Sequence, residues 1–143
     1  MRIQRQALTI GALAAAAGVS APTIRYYEEI GLLPVPDRTA AGRRSYSRVD
    51  VERLRFIRRS RDFGFSIDEV RRLANMSVSS GGDCTAVRDL AATQLRTVRE
   101  RLAELRGLEQ SLMGFVGLCD TACAGGPVRD CAVFEDLGAP ASR

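Results

Sequence analysis

Three of the chain's four cysteines, Cys119, Cys123 and Cys131, fall within the stretch "LCDTACAGGPVRDC", and the fourth, Cys84, stands far upstream in "GGDC". The segment "AGGPVRD" between the last two is a flexible loop able to wrap an ion. Thiolates favour soft metals, which here means Zn, Cd, Hg, Pb or Cu(I). In a reducing compartment, cysteines in such numbers more often bind metal or sense redox state than form disulfides. A single cysteine at a helix start is usually a small buried hydrophobe, so Cys84 gains a ligand role only if something brings it to the tail cluster. An enzyme is the weakest reading. The chain has no histidine to act as a base, no phosphate loop and no triad, and a thiol beside a helix N-terminus is one part of a catalytic site without the others.

The element that must bring the thiols together is a helix expected over about 84–117. Its apolar positions at 87, 91, 95, 98, 102, 105, 108, 112 and 116 follow the three-four alternation of a coiled coil, slightly broken at Leu108. Cys84 and Cys119 lie at its two ends, about 50 Å apart in one chain at 1.5 Å per residue, so one protomer cannot bring them to a common ligand. An antiparallel dimer can. Placing Cys84 opposite the partner's Cys119 also sets Val87 against Val116, Ala91 against Leu112, Leu95 against Leu108 and Val98 against Leu105. The seam closes apolar on apolar, and the expected constellation is Cys84 from one chain with Cys119, Cys123 and Cys131 from the other.

The front half has a different character. Residues 1–72 carry 14 Arg against 8 acidic residues, and residues 73–143 carry 7 against 9. Every cation is Arg, whose planar fork suits phosphate and guanine. A basic front half points to nucleic acid. Thr9 is placed to cap a helix over about 10–17 that Gly18 ends. Ser20 then caps a second over about 21–30, with Pro22 in its first turn and Gly31 stopping it. That spacing is shared by a plain αα-hairpin and by a helix-turn-helix whose second helix enters a major groove. Two short strands around "AAG" form a wing with Arg38, Arg43, Arg44 and Tyr46 available to phosphates. A helix over 49–65 puts Val51, Leu54, Ile57 and Phe56 on one face, flanked by Arg53, Arg55, Arg58, Arg59 and Arg61. Ser66 caps a further short helix with Asp68 and Glu69 in its first turn.

The fold expected is mainly α: a winged helix-turn-helix domain over 1–76, a linker over 77–83, an antiparallel coiled-coil dimerisation helix over 84–117, and a cysteine-containing metal-binding loop and tail over 118–143. The alanine-rich start resembles a signal peptide, but its glycines and helical continuation make it part of the fold. No apolar run approaches the roughly 20 residues of a membrane span. A cytoplasmic protein is expected, with no membrane partner.

At this point the chain resembles the MerR family of bacterial transcription regulators, in its heavy-metal-responsive branch. "TIGALAAAAGVSAPTIRYYEEIGLLPVPDR" followed by "GRRSYS" is similar to the family's winged helix-turn-helix, and "LRFIRRSRDFGFSIDEVRRL" to its second helical pair. One departure is Arg43, where members usually carry Tyr. The resemblance implies a homodimer that binds promoter DNA and, on binding its effector, distorts the DNA so that RNA polymerase can use the promoter. It also implies DNA contacts from Thr23, Arg25 and Tyr26 on the recognition helix, and phosphate contacts from Arg38, Gly42, Arg43, Arg44 and Tyr46 on the wing. In the metal branch a cysteine at the start of the dimer helix goes with divalent ions, and a serine there with Cu(I), Ag(I) or Au(I). Cys84 therefore favours a soft divalent effector: Hg, Cd or Pb, with Zn retained. Cys84, Cys119 and Cys131 are expected as the primary ligands, with Cys123 secondary. The alternatives are a monovalent copper, silver or gold sensor, and a redox sensor holding a [2Fe–2S] cluster. A drug-binding regulator of the same family would carry a ligand domain after the long helix.

Overall fold

The computed structural model describes residues 7–79, 81–123 and 125–141, without the side chains of Cys123 and Asp130. It is mainly helical. In chain order come α1 (Ile10–Ala17), α2 (Ala21–Glu29), β1 (Asp37–Arg38), β2 (Arg44–Ser45), α3 (Arg48–Asp62), α4 (Ile67–Val78) and α5 (Thr85–Leu118), then a π-helical turn (Cys119–Cys123), a 3₁₀ turn (Val128–Asp130) and α6 (Ala132–Gly138). Two compact units divide at Ala91 and Ala92, within α5.

Short polar side chains start the helices of the first unit. The Thr9 hydroxyl accepts from the Ala12 N–H at 3.1 Å, and the Ser20 hydroxyl from the Thr23 N–H at 3.3 Å. Ser66 and Glu69 form a reciprocal capping box, with bonds of 3.1 and 2.7 Å. Gly18 closes α1 in the left-handed conformation, φ 66°, where a β-carbon would also collide with the Arg58 guanidinium. β1 and β2 pair antiparallel, Asp37 with Ser45 and Arg38 with Arg44. Beyond the pair, Leu8 and Tyr46 exchange backbone hydrogen bonds of 2.8 and 3.0 Å, so the wing is joined to the segment that leads into α1.

The core of this unit gathers Leu13, Ile24, Leu33, Leu54, Ile57 and Val70, all essentially inaccessible. α1 packs on α2 and α3, and α3 on α4. Leu90, near the start of α5, belongs to the same cluster; the coiled-coil pattern did not reveal it, because Leu90 lies off the apolar stripe.

Several boundaries differ from expectation. α3 ends at Asp62 and not at residue 65: Gly64 takes φ 87°, turning the chain so that Phe65 enters the core. Phe56 is exposed while Val51, Leu54 and Ile57 are buried, since at 100° per residue Phe56 falls outside the arc those three define. α4 runs on through Ser77 and Val78, shortening the expected linker over 77–83, whose Ser80 lies outside the described residues. Within the expected loop and tail over 118–143 come a π turn, a 3₁₀ turn and, at the "CAVFEDL" stretch whose pattern suggests a short amphipathic helix, α6. Thr121 donates its hydroxyl to the Gly117 carbonyl at 2.9 Å, taking up an acceptor where the helix widens.

In the second unit, α6 packs on the π turn. Leu95, Val98, Leu102, Leu105, Leu108, Leu112 and Val116 on α5 are all exposed, and an open groove of about 560 Å³ runs along Leu105, Leu108, Leu112, Met113 and Val116. Among the described residues no helix is long and apolar enough to cross a membrane.

Leu54→Ala should destabilise the first unit by about 2–5 kcal/mol through lost burial and a residual cavity. Thermal unfolding followed by circular dichroism measures it; an unchanged midpoint would remove Leu54 from the core.

Candidate nucleic-acid interface and thiol positions

α2 exposes Arg25 and Tyr26 while burying Ile24, Tyr27 and Glu28. The buried residues fall at i, i+3 and i+4, one helical face, and this turns the intervening pair outward. Thr23 is half-buried in the first turn, with its hydroxyl 2.7 Å from that of Ser20. A cavity of about 350 Å³ is lined by Arg25, Arg38, Gly42, Arg43 and Arg44, together with Thr9 and Ile10 at the start of α1. α2, the wing and the start of α1 thus converge on one basic concavity. Such a concavity suits an anionic oxygen: guanidinium groups supply charge-assisted donors, and the helix start adds partial positive charge. Thr9 was legible as a cap, but nothing in its own type or spacing marked it as part of this concavity.

The wing geometry corrects one expected contact. Tyr46 is 2 % exposed, and its hydroxyl donates to Glu28 Oε1 at 2.6 Å, so it holds the wing against α2 and does not reach a phosphate. The side chain faces inward because Tyr46 continues the backbone pairing with Leu8 at the edge of the core. Arg44 is half-buried, and its Nη1 lies 3.2 Å from Glu28 Oε2, while its side chain still borders the cavity. Arg38 donates to the Gly42 carbonyl at 2.7 Å, bracing the wing turn, where Gly42 takes φ 78°. Arg43 is exposed. Burial and the bond to Glu28 push the Tyr46 phenol from its ordinary value near 10 up to about 12, against an opposing pull from Arg44. Glu28 is the residue that reading the sequence missed. Its place on the Ile24–Tyr27 face was the available signal, masked by the habit of assigning a carboxylate to solvent.

The thiols are distributed as follows. Cys84 is exposed and immediately precedes α5, with its carbonyl accepting from the Arg88 N–H at 2.9 Å. Beside it, Asp83 accepts from the Thr85 N–H at 2.8 Å. The Thr85 side chain and this backbone bond hold the Asp83 carboxyl below its usual range. A cavity of about 450 Å³ next to Cys84 is lined by Met76, Asp83 and Val87 among others. Cys119 is exposed and opens the π turn; Cys131 is half-buried and precedes α6 as its N-cap. Cys123 was expected mid-loop, but its backbone closes the π turn; its side chain lies outside what is described. Among the described residues, no group of three or more His, Cys, Asp or Glu side chains within one protomer is arranged to hold a metal.

Residues 8–77 match the MerR HTH family regulatory protein model, and residues 51–115 match the model described as MerR, DNA binding. The chain belongs to the MerR family of transcriptional regulators. The family consists of DNA-binding regulators, not enzymes. The mercuric resistance operon regulatory protein of Serratia marcescens is 40% identical over 112 residues, covering 78% of this chain and 76% of that one. The structure is similar to that of the transcription regulator PbrR691 from Ralstonia metallidurans CH34 in complex with lead(II), with TM-score 0.75 and 35% identity over 92% of this chain and 99% of that chain. It is also similar to HiNmlR, a MerR family regulator lacking the sensor domain and bound to promoter DNA, with TM-score 0.62 and 26% identity over 94% and 98% of the two chains.

Tyr46→Phe should lower stability by about 1–3 kcal/mol, the cost of leaving a buried carboxylate short of a partner. Because folding raises the phenol's pKa, the bond's contribution is fully present below about pH 10 and is lost as pH rises through about 12. The stability gap between wild type and variant should therefore narrow across that window in urea titrations. A gap that does not change would mean the phenol is not coupled to Glu28.

Proposed function

We propose that this chain is a metal-responsive MerR-family activator: a cytoplasmic homodimer on promoter DNA that takes a soft divalent ion on cysteines contributed by both protomers. The observation that carries this reading is α5, one continuous helix of 34 residues with a cysteine just before it, another just after it, and an exposed apolar stripe along its length. At 1.5 Å per residue it is about 50 Å long. Pairing two copies antiparallel buries the stripe on itself and brings the start of one helix to the end of the other. In this arrangement residues 1–76 read the DNA, the segment at 77–83 joins them to the dimer helix over 84–117, and the tail over 118–143 closes on the effector.

The donor chemistry fits a soft ion. Cys84 and Cys119 are accessible thiols, and Cys131 stands at the N-cap position of α6, the end of a helix that favours a thiolate. Cys84, Cys119 and Cys131 would hold the ion, with Cys123 as an optional fourth donor. A three-thiolate site suits Hg(II) or Pb(II), and a fourth ligand suits Zn(II) or Cd(II). The lead(II) complex of PbrR691 and the mercuric resistance function named for the Serratia protein support a divalent metal here. The bound ion would link the protomers and favour one of two dimer shapes, and that choice would set the cost of distorting the promoter for RNA polymerase. Arg25 and Tyr26, with Thr23 behind them in the helix, would face the bases and nearby phosphates. Arg38, Gly42, Arg43 and Arg44 would clamp the backbone.

Arg25→Ala should abolish operator binding while leaving metal binding intact. Arg43→Ala should instead weaken binding to all duplexes and reduce the slope of log K against log salt by about one, as a phosphate contact does. Anisotropy titrations over a salt series measure both effects. An Arg25→Ala protein that keeps full operator affinity would count against α2 as the reading helix.

Cys84→Ser should lose the divalent response without breaking the dimer, because the seam is hydrophobic. Changing each cysteine to serine and measuring promoter induction for Hg, Cd, Pb, Zn and Cu(I) separates the ligand sets. If Cys123→Ser silences every metal as fully as Cys119→Ser, the site is a four-thiolate one. Visible absorption from the purified protein would instead indicate a [2Fe–2S] cluster, and induction confined to Cu(I), Ag(I) or Au(I) would indicate a monovalent sensor.

A further inference from the structure

The recognition helix ends with an electrostatic deficit. α2 closes on Glu28 and Glu29 and has no basic residue in its last turn, although a helix C-terminus already carries partial negative charge and unpaired carbonyls. The missing cation comes from α4. Arg71 donates from Nη2 to the Ile30 carbonyl at 2.7 Å and from Nη1 to the Gly31 carbonyl at 3.3 Å. Those two carbonyls are the first beyond α2.

The base of this strut is fixed. Val70, its immediate neighbour, is fully buried, the Ser66–Glu69 box closes the start of α4, and α4 packs on α3. Arg71 therefore reaches from an anchored helix to the free end of the helix that carries Arg25 and Tyr26. A second tie acts on α2 elsewhere, through the Glu28 carboxylate to Tyr46 and Arg44. Core packing of Ile24 and Tyr27 and the Glu28 network hold one face of α2; Arg71 adds a restraint at the C-terminal end, where the helix axis is otherwise least constrained by that face. The same device serves α1, which also lacks a basic last turn: Arg55 of α3 donates twice to the Ala16 carbonyl, at 2.9 and 3.2 Å.

We propose that Arg71 is a positioning residue for operator recognition: it touches no DNA, but by clamping the end of α2 it sets the angle at which the helix presents its reading side chains. This rests on the promoter-DNA reading above. A guanidinium is suited to the task because its rigid fork engages two carbonyls at once; a lysine ammonium keeps the charge without the fork.

The test uses the full chain, an operator selected by the wild-type protein from random duplexes, and a scrambled duplex of equal length and composition. Affinities for both are measured over a salt series for wild type, Arg71→Gln and Arg71→Lys. Arg71→Gln should lose about tenfold in operator affinity, within the range of a mispresented base contact. Its affinity for scrambled DNA and its salt slope should stay unchanged, and Arg71→Lys should fall between it and wild type. An unaltered operator-to-scrambled ratio in Arg71→Gln overturns the proposal. So does a salt slope reduced by about one on both duplexes, because Arg71 would then be a phosphate contact. If circular dichroism shows Arg71→Gln unfolded, Arg71→Lys is judged by the same two criteria. A wild-type protein that selects no operator fails the promoter-DNA reading itself, before any variant is compared.

Discussion

A buried carboxylate, Glu28, organises the DNA-facing unit. An ionised group removed from water is costly unless it is paired and hydrogen-bonded, and Glu28 meets that cost with one bond from Tyr46 and one ion pair from Arg44. Both partners belong to the end of the wing, while Glu28 belongs to α2. The requirement to satisfy one charge therefore fixes the wing and the recognition helix relative to each other. A two-residue strand pair has little stability by itself, and here its end is held twice: by this network and by the Leu8–Tyr46 backbone pairing. The basic concavity between wing and helix is a product of that attachment.

Arginine does two kinds of work in this unit, and composition cannot separate them. Arg55, Arg61 and Arg71 end helices or turns by donating to backbone carbonyls, and Arg44 neutralises Glu28. Arg25 and Arg43 remain exposed beside the concavity. The positive charge of residues 1–72 thus overstates the part facing a polyanion. Structural arginines still add to the long-range field, so they attract DNA even where they do not touch it.

Local signals were the most legible. Thr9, Ser20 and Ser66 marked helix starts, and Gly18 a helix stop, because capping chemistry is written in the residues that perform it. The apolar repeat of α5 was equally plain, since it depends on nothing but spacing. The side-chain roles at the concavity were not. Tyr46 had the composition of a phosphate contact and became a structural tie, because its burial depends on where Leu8 and Glu28 lie, one of them 38 residues away in sequence. The turn structure at Cys119–Cys123 was hidden as well: propensity does not mark a widened helical turn in "CDTAC", and its packing partner, α6, lies further along the chain. The thiol arrangement proposed above, with its donors at the two ends of one helix, would need a second copy of the chain and so lies beyond what a single protomer displays.

The all-arginine make-up of the concavity has a further consequence. The chain contains neither lysine nor histidine, and a guanidinium keeps its proton at any pH a cell reaches. No amine on the reading face is open to acetylation, and no imidazole there gains or loses charge near neutrality. If this concavity meets DNA as proposed, the charge its guanidinium groups offer is the same at every cellular pH, and what can vary is where the fold places them.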